Sequence, residues 1–250
     1  MALDFALDGG AANTAALGVI VLQSDESLEP ELRQLHLAEG VALFHSRIPS
    51  REEVTPDTLA EMADALPAAA ALLPVAADFR AIAYGCTSGA TVIGPARVTD
   101  LVQAHHPGVP CTDPMTALIA ACRALGVRRL ALLTPYIESV SAAMRDYLTE
   151  QGLEIVQFAS FEQRDEAVVA RISEASVERA LLAFDAAQCD AVFTSCTNLR
   201  SFSIIESTEQ QFGVPVLSSN LALGWHLMQL AGLTTAGAGP GRLFAEGQLR

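Results

Sequence analysis

Apolar residues in this chain come in short unbroken runs, each of strand length and each followed by a longer amphipathic stretch. The runs are "LGVIVL" (17–22), "GVALFHS" (40–46), "AIAYG" (81–85), "RLALLT" (129–134), "LEIVQFA" (153–159), "AVFTS" (191–195) and "VPVLSS" (214–219). Runs of this length without polar alternation predict strands buried on both faces. Helical periodicity marks "TPDTLAEMADALPAAAALL" (55–73), "TDPMTALIAACRALG" (112–126), "IESVSAAMRDYLTEQG" (137–152), "SVERALLAFDAA" (176–187) and "ALGWHLMQLAG" (222–232). Thr55 and Pro56 suit a capped first turn, and Gly126 and Gly152 suit helix ends. Pro67 is expected to kink or split the first helix. Strands alternating with helices predict an α/β protein whose parallel sheets are covered on both faces.

The pattern also repeats. Cys86 and Cys196 stand 110 positions apart, each after an apolar run and before a threonine. "PGVPCTD" (107–113) recurs as "FGVPVLSSN" (212–220), and "VIVLQSD" (19–25) as "LALLTPY" (130–136). Three pairs in one order at nearly one offset predict two similar Rossmann-like subdomains related by a pseudo-twofold. One subdomain would comprise 1–110 plus 218–250 and the other 111–217. Ligands of open parallel sheets bind beyond the carboxyl ends of the strands, where Asp25, Cys86, Tyr136 and Cys196 all fall. The active site is therefore expected in the cleft between the halves, with one thiol on each side. Each thiol would lie near a helix N-terminus, which favours thiolate and binds carboxylate. The plainer alternative makes both ordinary buried cysteines, but it leaves their matched surroundings unexplained.

Composition narrows the chemistry. Of 250 residues 51% are apolar and 18% charged, enough to bury a core. The net charge of −14 disfavours nucleic acid or an anionic membrane as partner. No run approaches the length of a membrane helix, and Asp4 and Asp8 interrupt the first apolar stretch, so a cytoplasmic protein is expected. All 15 basic residues are arginine. The absence of lysine excludes a Schiff base, a pyridoxal phosphate anchor and a P-loop lysine. Cys86, Cys111, Cys122, Cys189 and Cys196 form no C-x-x-C pair and read as reduced thiols. Cys111, Cys122 and Cys189 read as structural. The five histidines show no metal-ligand spacing, so no metal is expected.

The segments "GVIVLQSDESLEPE", "YGCTSGATVIG", "VPCTDPMTALIAACRALGVRRLALLTPYIESV", "FTSCTNLRSF" and "FGVPVLSSNLALGWHLMQLAG" together resemble the aspartate/glutamate racemase superfamily. Within it they are most similar to the branch of maleate cis-trans isomerase and arylmalonate decarboxylase. "QSDE" and "YGCTSGATVIG" also resemble proteins of ectoine utilisation. The resemblance implies a cleft between two α/β subdomains and catalysis without metal or organic cofactor. It implies that Cys86 is the nucleophilic or proton-transferring thiol and Cys196 the opposing acid/base. Thr87, Ser88 and Tyr136 would hold a substrate carboxylate, with Thr197 and Asn198 donating near the second thiol. The decarboxylases have glycine at the first cysteine position, so two cysteines favour the isomerase or racemase pattern. Maleate isomerases carry an asparagine where this chain has Asp25. A carboxylate there repels a second substrate carboxylate and suits an ammonium or amidinium group; alternatively Asp25 merely caps a helix.

The expected function is thus a cofactor-independent isomerase or racemase acting on a small carboxylate, in a homo-oligomer. The alternatives are an arylmalonate-type decarboxylase using Cys196 alone, and a ligand-binding protein that has lost turnover.

Overall fold

The computed structural model describes residues 1–248. The first half runs β1 (Ala15–Leu22), α1 (Leu28–Leu32), β2 (Val41–Ile48), α2 (Pro56–Ala71), β3 (Phe79–Gly85), α3 (Thr87–Ile93), α4 (Pro95–Gln103) and β4 (Cys111–Thr112). The second continues with α5 (Pro114–Leu125), β5 (Arg129–Tyr136), α6 (Glu138–Glu150), β6 (Glu154–Gln163), α7 (Glu166–Val169), α8 (Glu174–Leu182), β7 (Ala191–Thr194), α9 (Ile205–Phe212), β8 (Val216–Ser218), α10 (Ser219–Leu230) and α11 (Gly241–Glu246). Each half holds a four-stranded sheet, in the orders β2-β1-β3-β4 and β6-β5-β7-β8, and every pairing is parallel. The second order is the first with four added to each number, so the repeat in the sequence is a repeat in topology.

Burial explains which runs became central strands. All eight residues of β1 are buried, as are seven of the eight in β5, and each of these strands has neighbours on both sides. The edge strands β2 and β6 are mostly half-buried. Gly18 lets helix-side and strand-side chains close on β1, since a Cβ there would meet Ile82 Cγ1 at 2.9 Å.

Differences from the sequence reading have identifiable causes. Helix α2 is capped by Thr55 as expected, with Thr58 completing a reciprocal capping box, but it runs through Pro67 as one helix. Leu59, Met62, Leu66, Ala69 and Ala70 bury along one face on both sides of the proline. That burial outweighs the single bond the ring cannot make. The first sheet ends with β4 at Cys111–Thr112, so a division after residue 110 would part this strand from the sheet it pairs with. Helices α1, α3, α4, α7, α9 and α11 lacked a periodic signal because most are shorter than two or three turns. Gly94, at φ 87°, ends α3, and Pro95 starts α4 immediately.

Helix α10 follows β8 of the second sheet yet packs on β3 and β4 of the first, and along α5. Ten of its twelve residues are buried, so its apolar surface runs all the way round. At Gly224 a Cβ would meet Leu35 Cδ1 at 2.8 Å, which is how closely the segment after α1 approaches. Among the described residues no helix is long and apolar enough to cross a membrane.

Candidate active site

Strand β3 ends at Gly85 and delivers Cys86 to the N-cap of α3, with φ −149° and 2% exposure. Its Sγ accepts the Gly89 N–H at 3.2 Å and lies 3.7 Å from Ser88 Oγ. A Cβ on Gly89 would sit 2.9 Å from this sulfur and 2.6 Å from the Tyr84 hydroxyl, so glycine is what allows them to crowd together. Tyr84 precedes Cys86 by two in the strand and shares its face.

Strand β7 delivers Cys196 to the equivalent place, but with a different backbone. Its φ is 120°, a left-handed conformation in a non-glycine residue. Sγ accepts the Asn198 N–H at 3.3 Å, and the Tyr136 phenol lies close enough to influence its ionisation. The next α-helix, α9, begins only at Ile205. The expectation that both thiols face a helix N-terminus therefore holds for Cys86 and fails for Cys196. Residues 197–201 are held instead as an irregular loop by side-chain clamps. Among them, Glu31 Oε1 accepts the Ser201 and Phe202 N–H groups at 2.5 and 2.9 Å.

The two cysteine turns are tied to each other. Thr87 Oγ1 donates to Ser219 Oγ at 2.8 Å, and the same oxygen accepts the Cys196 N–H at 3.0 Å. In return, Thr197 Oγ1 donates to the Gly85 carbonyl at 3.4 Å. Each threonine thus reaches toward the opposite strand end, and the structure brings Cys86, Thr87, Ser88, Tyr136, Cys196 and Thr197 into one buried cluster. Since Ser219 accepts twice, its own hydroxyl proton is available to a ligand. The Thr87 proton is committed to Ser219.

The side chain of Asn198 is held by protein contacts. Its Oδ1 accepts the Glu26 N–H at 2.8 Å, and its Nδ2 donates to Glu166 Oε2 at 2.9 Å and to the carbonyls of Glu166 and Ser24. The side chain is fully engaged in binding the loop after β1 to α7. Asp25 lies in that loop and is buried. Its Oδ1 caps α1 by accepting the Ser27 and Leu28 N–H groups, each at 2.8 Å. Its Oδ2 is buried without a hydrogen-bond partner among the described residues.

Burial dominates the electrostatics. It pushes the Cys86 thiol up to about 12, against the smaller opposing pull of the Gly89 N–H, and holds Cys196 and the Tyr136 phenol well above their usual ranges. The charge of Glu166 raises both thiols further. Glu166, 6% exposed at the start of α7, is itself raised to about 7 by burial, and the Asp25 charge adds to the rise. Burial thus favours the neutral form of both thiols. The helix-terminus effect expected to favour thiolate at Cys86 is outweighed by desolvation.

Glu166, Ser219 and Tyr84 were not among the residues singled out from the sequence. Period-two spacing from Cys86 could have indicated Tyr84. Ser219 lies in the recurring "VPVLSSN" and follows β8 as Asp113 follows β4. Glu166 carried no signal, because an acid in the first turn of a helix is commonplace. Among the described residues no group of three His, Cys, Asp or Glu side chains is placed to hold a metal ion.

Two parallel α/β halves with a thiol at each strand end, locked together by hydroxyls, define a class of cleft enzymes, and the comparisons agree. Residues 17–244 match the arylmalonate decarboxylase family, and the chain belongs to that family. It is 39% identical over 142 residues to the arylmalonate decarboxylase of Bordetella bronchiseptica, a match covering 56% of this chain and 59% of that one. It is 28% identical over 251 residues to the maleate isomerase of Nocardia farcinica, covering 92% and 95%. A solved structure of the Nocardia farcinica maleate cis-trans isomerase superposes with a TM-score of 0.80 at 25% identity, covering 92% of this chain and 98% of that one. That structure is a cysteine-to-serine variant holding a covalently bound succinylcysteine intermediate.

Proposed function

We propose that the protein is a cofactor-independent isomerase or racemase that acts on a small carboxylate substrate through Cys86 and Cys196. The observation that carries this reading is the reciprocal tie between the cysteine turns, from Thr87 through Ser219 to Cys196 and from Thr197 back to Gly85. It supports the reading by holding the two cysteine turns against each other in the buried interior. The Ser88 and Ser219 hydroxyls and the Tyr136 phenol lie alongside as donors for the substrate carboxylate.

On an alkene diacid the steps balance as follows. Cys86, having lost its proton to solvent on substrate entry, forms a C–S bond to one alkene carbon. The π pair moves to the other carbon, which takes the Cys196 proton. Rotation about the resulting single bond, return of a proton to Cys196 and cleavage of the C–S bond give the trans alkene. On a saturated acid with a stereocentre, one thiolate removes the α-proton and the opposite thiol supplies another from the other face. The Asp25 position favours an amino- or amidine-bearing acid over maleate, of the kind handled in ectoine utilisation. The protein is read as cytoplasmic and homo-oligomeric.

The 39% identity to a decarboxylase favours a second reading, in which Cys196 alone protonates an enediolate after loss of CO₂. The experiment follows maleate, arylmalonate and amino-bearing acids by NMR in D₂O with wild type, Cys86→Ser and Cys196→Ser. Conversion abolished in both variants is expected. A covalent adduct on Cys86 should accumulate in Cys196→Ser when the substrate is an alkene acid. Full turnover in either single variant overturns the two-thiol reading. CO₂ release that survives Cys86→Ser selects the decarboxylase.

A further inference from the structure

We infer that Asp25 and Glu166 together form a cation subsite beside the thiols, so that the substrate is a small acid with an ammonium or amidinium group at its other end. The inference rests on the cleft being the substrate site, and it adds Glu166 as a residue that determines specificity.

Asp25 is 3% exposed, and its Oδ2 has no protein partner among the described residues although its Oδ1 has two. A buried, unpaired carboxylate oxygen is costly unless a ligand completes it. The Asp25 carboxyl neighbours the side chain of Thr197, one residue from Cys196; the Thr197 hydroxyl donates to the Gly85 carbonyl instead. Glu166 is 6% exposed, and among the described residues its carboxylate receives a single side-chain donor, Asn198 Nδ2 on Oε2. Asn198 joins the two acids physically, since its other bonds run to the Ser24 carbonyl and the Glu26 N–H on either side of Asp25. Among the described residues no arginine forms an ion pair with either carboxylate, although the charge of Arg47 is felt at Asp25. Arg47 points Nη1 at the Leu22, Gln23 and Asp25 carbonyls and Nη2 at Glu29, while Arg171 pairs with Glu26.

The mechanism makes this arrangement unfavourable by itself. Two buried acids beside two thiols oppose formation of the thiolate the reaction needs, and each acid's charge raises Cys196. A dicarboxylate would bring a further negative charge to the same place. A cation cancels the acids' charge and thereby assists thiol ionisation when substrate arrives. A planar amidinium matches carboxylate oxygens in paired hydrogen bonds better than a point charge does.

The test is binding, measured by calorimetry at pH 8 with 3-guanidinopropionate, 4-aminobutyrate and glutarate on wild type, Asp25→Asn and Glu166→Gln. Gln can keep the Asn198 contact, and Asn can keep the Oδ1 cap of α1, so both variants should fold. Wild type should bind the two cationic acids more than tenfold tighter than glutarate. Each variant should lose roughly tenfold to a hundredfold of cationic affinity, the loss expected for a charge-assisted hydrogen bond. Each variant should also bind glutarate better than wild type does. No binding of either cationic acid by wild type, or glutarate binding as tightly, overturns the subsite; so does unchanged affinity in Glu166→Gln, which decides alone if Asp25→Asn fails to fold. Turnover of a plain diacid that needs both cysteines and ignores Glu166→Gln sinks the subsite and leaves the proposed function standing. Cationic binding together with turnover that is indifferent to both cysteine variants does the reverse.

Discussion

At the scale of residues, the two cysteines differ more than their matched sequence suggests. Cys86 occupies ordinary extended backbone as a helix N-cap, whereas Cys196 holds a φ of 120°. A non-glycine residue in such a conformation carries strain of about 1–3 kcal/mol. Cys196→Gly should relieve that strain and Cys196→Ala should retain it. At most sites alanine is the more stable choice by about 0.5–1 kcal/mol, because glycine leaves the unfolded chain freer. Here the order should invert, with Cys196→Gly melting above Cys196→Ala and both inactive. Thermal melts of the two proteins check this; alanine melting higher would mean that the turn is unstrained. The sequence could not have shown the difference, because "GCT" and "SCT" look alike and the distortion comes from clamping residues 197–201.

At the scale of elements, that clamp centres on Glu31, a helix residue whose role no local pattern announced. From α1 it accepts two N–H groups of the 199–202 loop and, on Oε2, the Asn220 Nδ2 of α10 at 2.7 Å. Removing it strands two buried backbone donors, each costing about 1–3 kcal/mol, and takes from Asn220 Nδ2 one of two acceptors, leaving it the Thr197 carbonyl at 2.8 Å. Glu31→Ala should therefore lower stability by about 2 kcal/mol or more, read from denaturant unfolding, and loosen the Cys196 turn. The same residue gives stability a pH slope. Burial raises Glu31 and Glu166 from 4.5 to about 7 in the folded protein. Between those values the folded chain holds protons that the unfolded chain has released. Stability is then fully present below about pH 4.5, as far as these two groups are concerned, and declines as pH rises to about 7. The melting temperature should be lower at pH 8 than at pH 5.5, and Glu166→Gln should flatten the slope. A flat or rising wild-type profile across that range would refute the assignment. Glu31 resembles any first-turn acid in sequence because the contacts that distinguish it come from residues about 170 to 190 positions away.

At the scale of the whole molecule, the strands and the duplication were legible because strand-length apolar runs and a repeat near 110 residues survive in a linear string. Both sheets, their parallel sense and the placement of Cys86, Asp25 and Tyr136 at strand ends follow from those runs. What was not legible arises from contacts across the repeat. Asn198 reads as a donor beside Cys196, and its side-chain bonds to Glu166 depend on the approach of α7. Glu166 enters the site because α7 folds back onto the loop after β1, a meeting that neither segment encodes alone.

The path of α10 bears on how the molecule comes apart. This helix belongs by connection to the second sheet and by packing to the first, whose β3 and β4 it covers. Neither half can melt without uncovering the other, so the two sheets should act as one cooperative unit. Calorimetry should show a single transition whose van't Hoff and calorimetric enthalpies agree. Two resolved transitions would mean that the halves are separable after all.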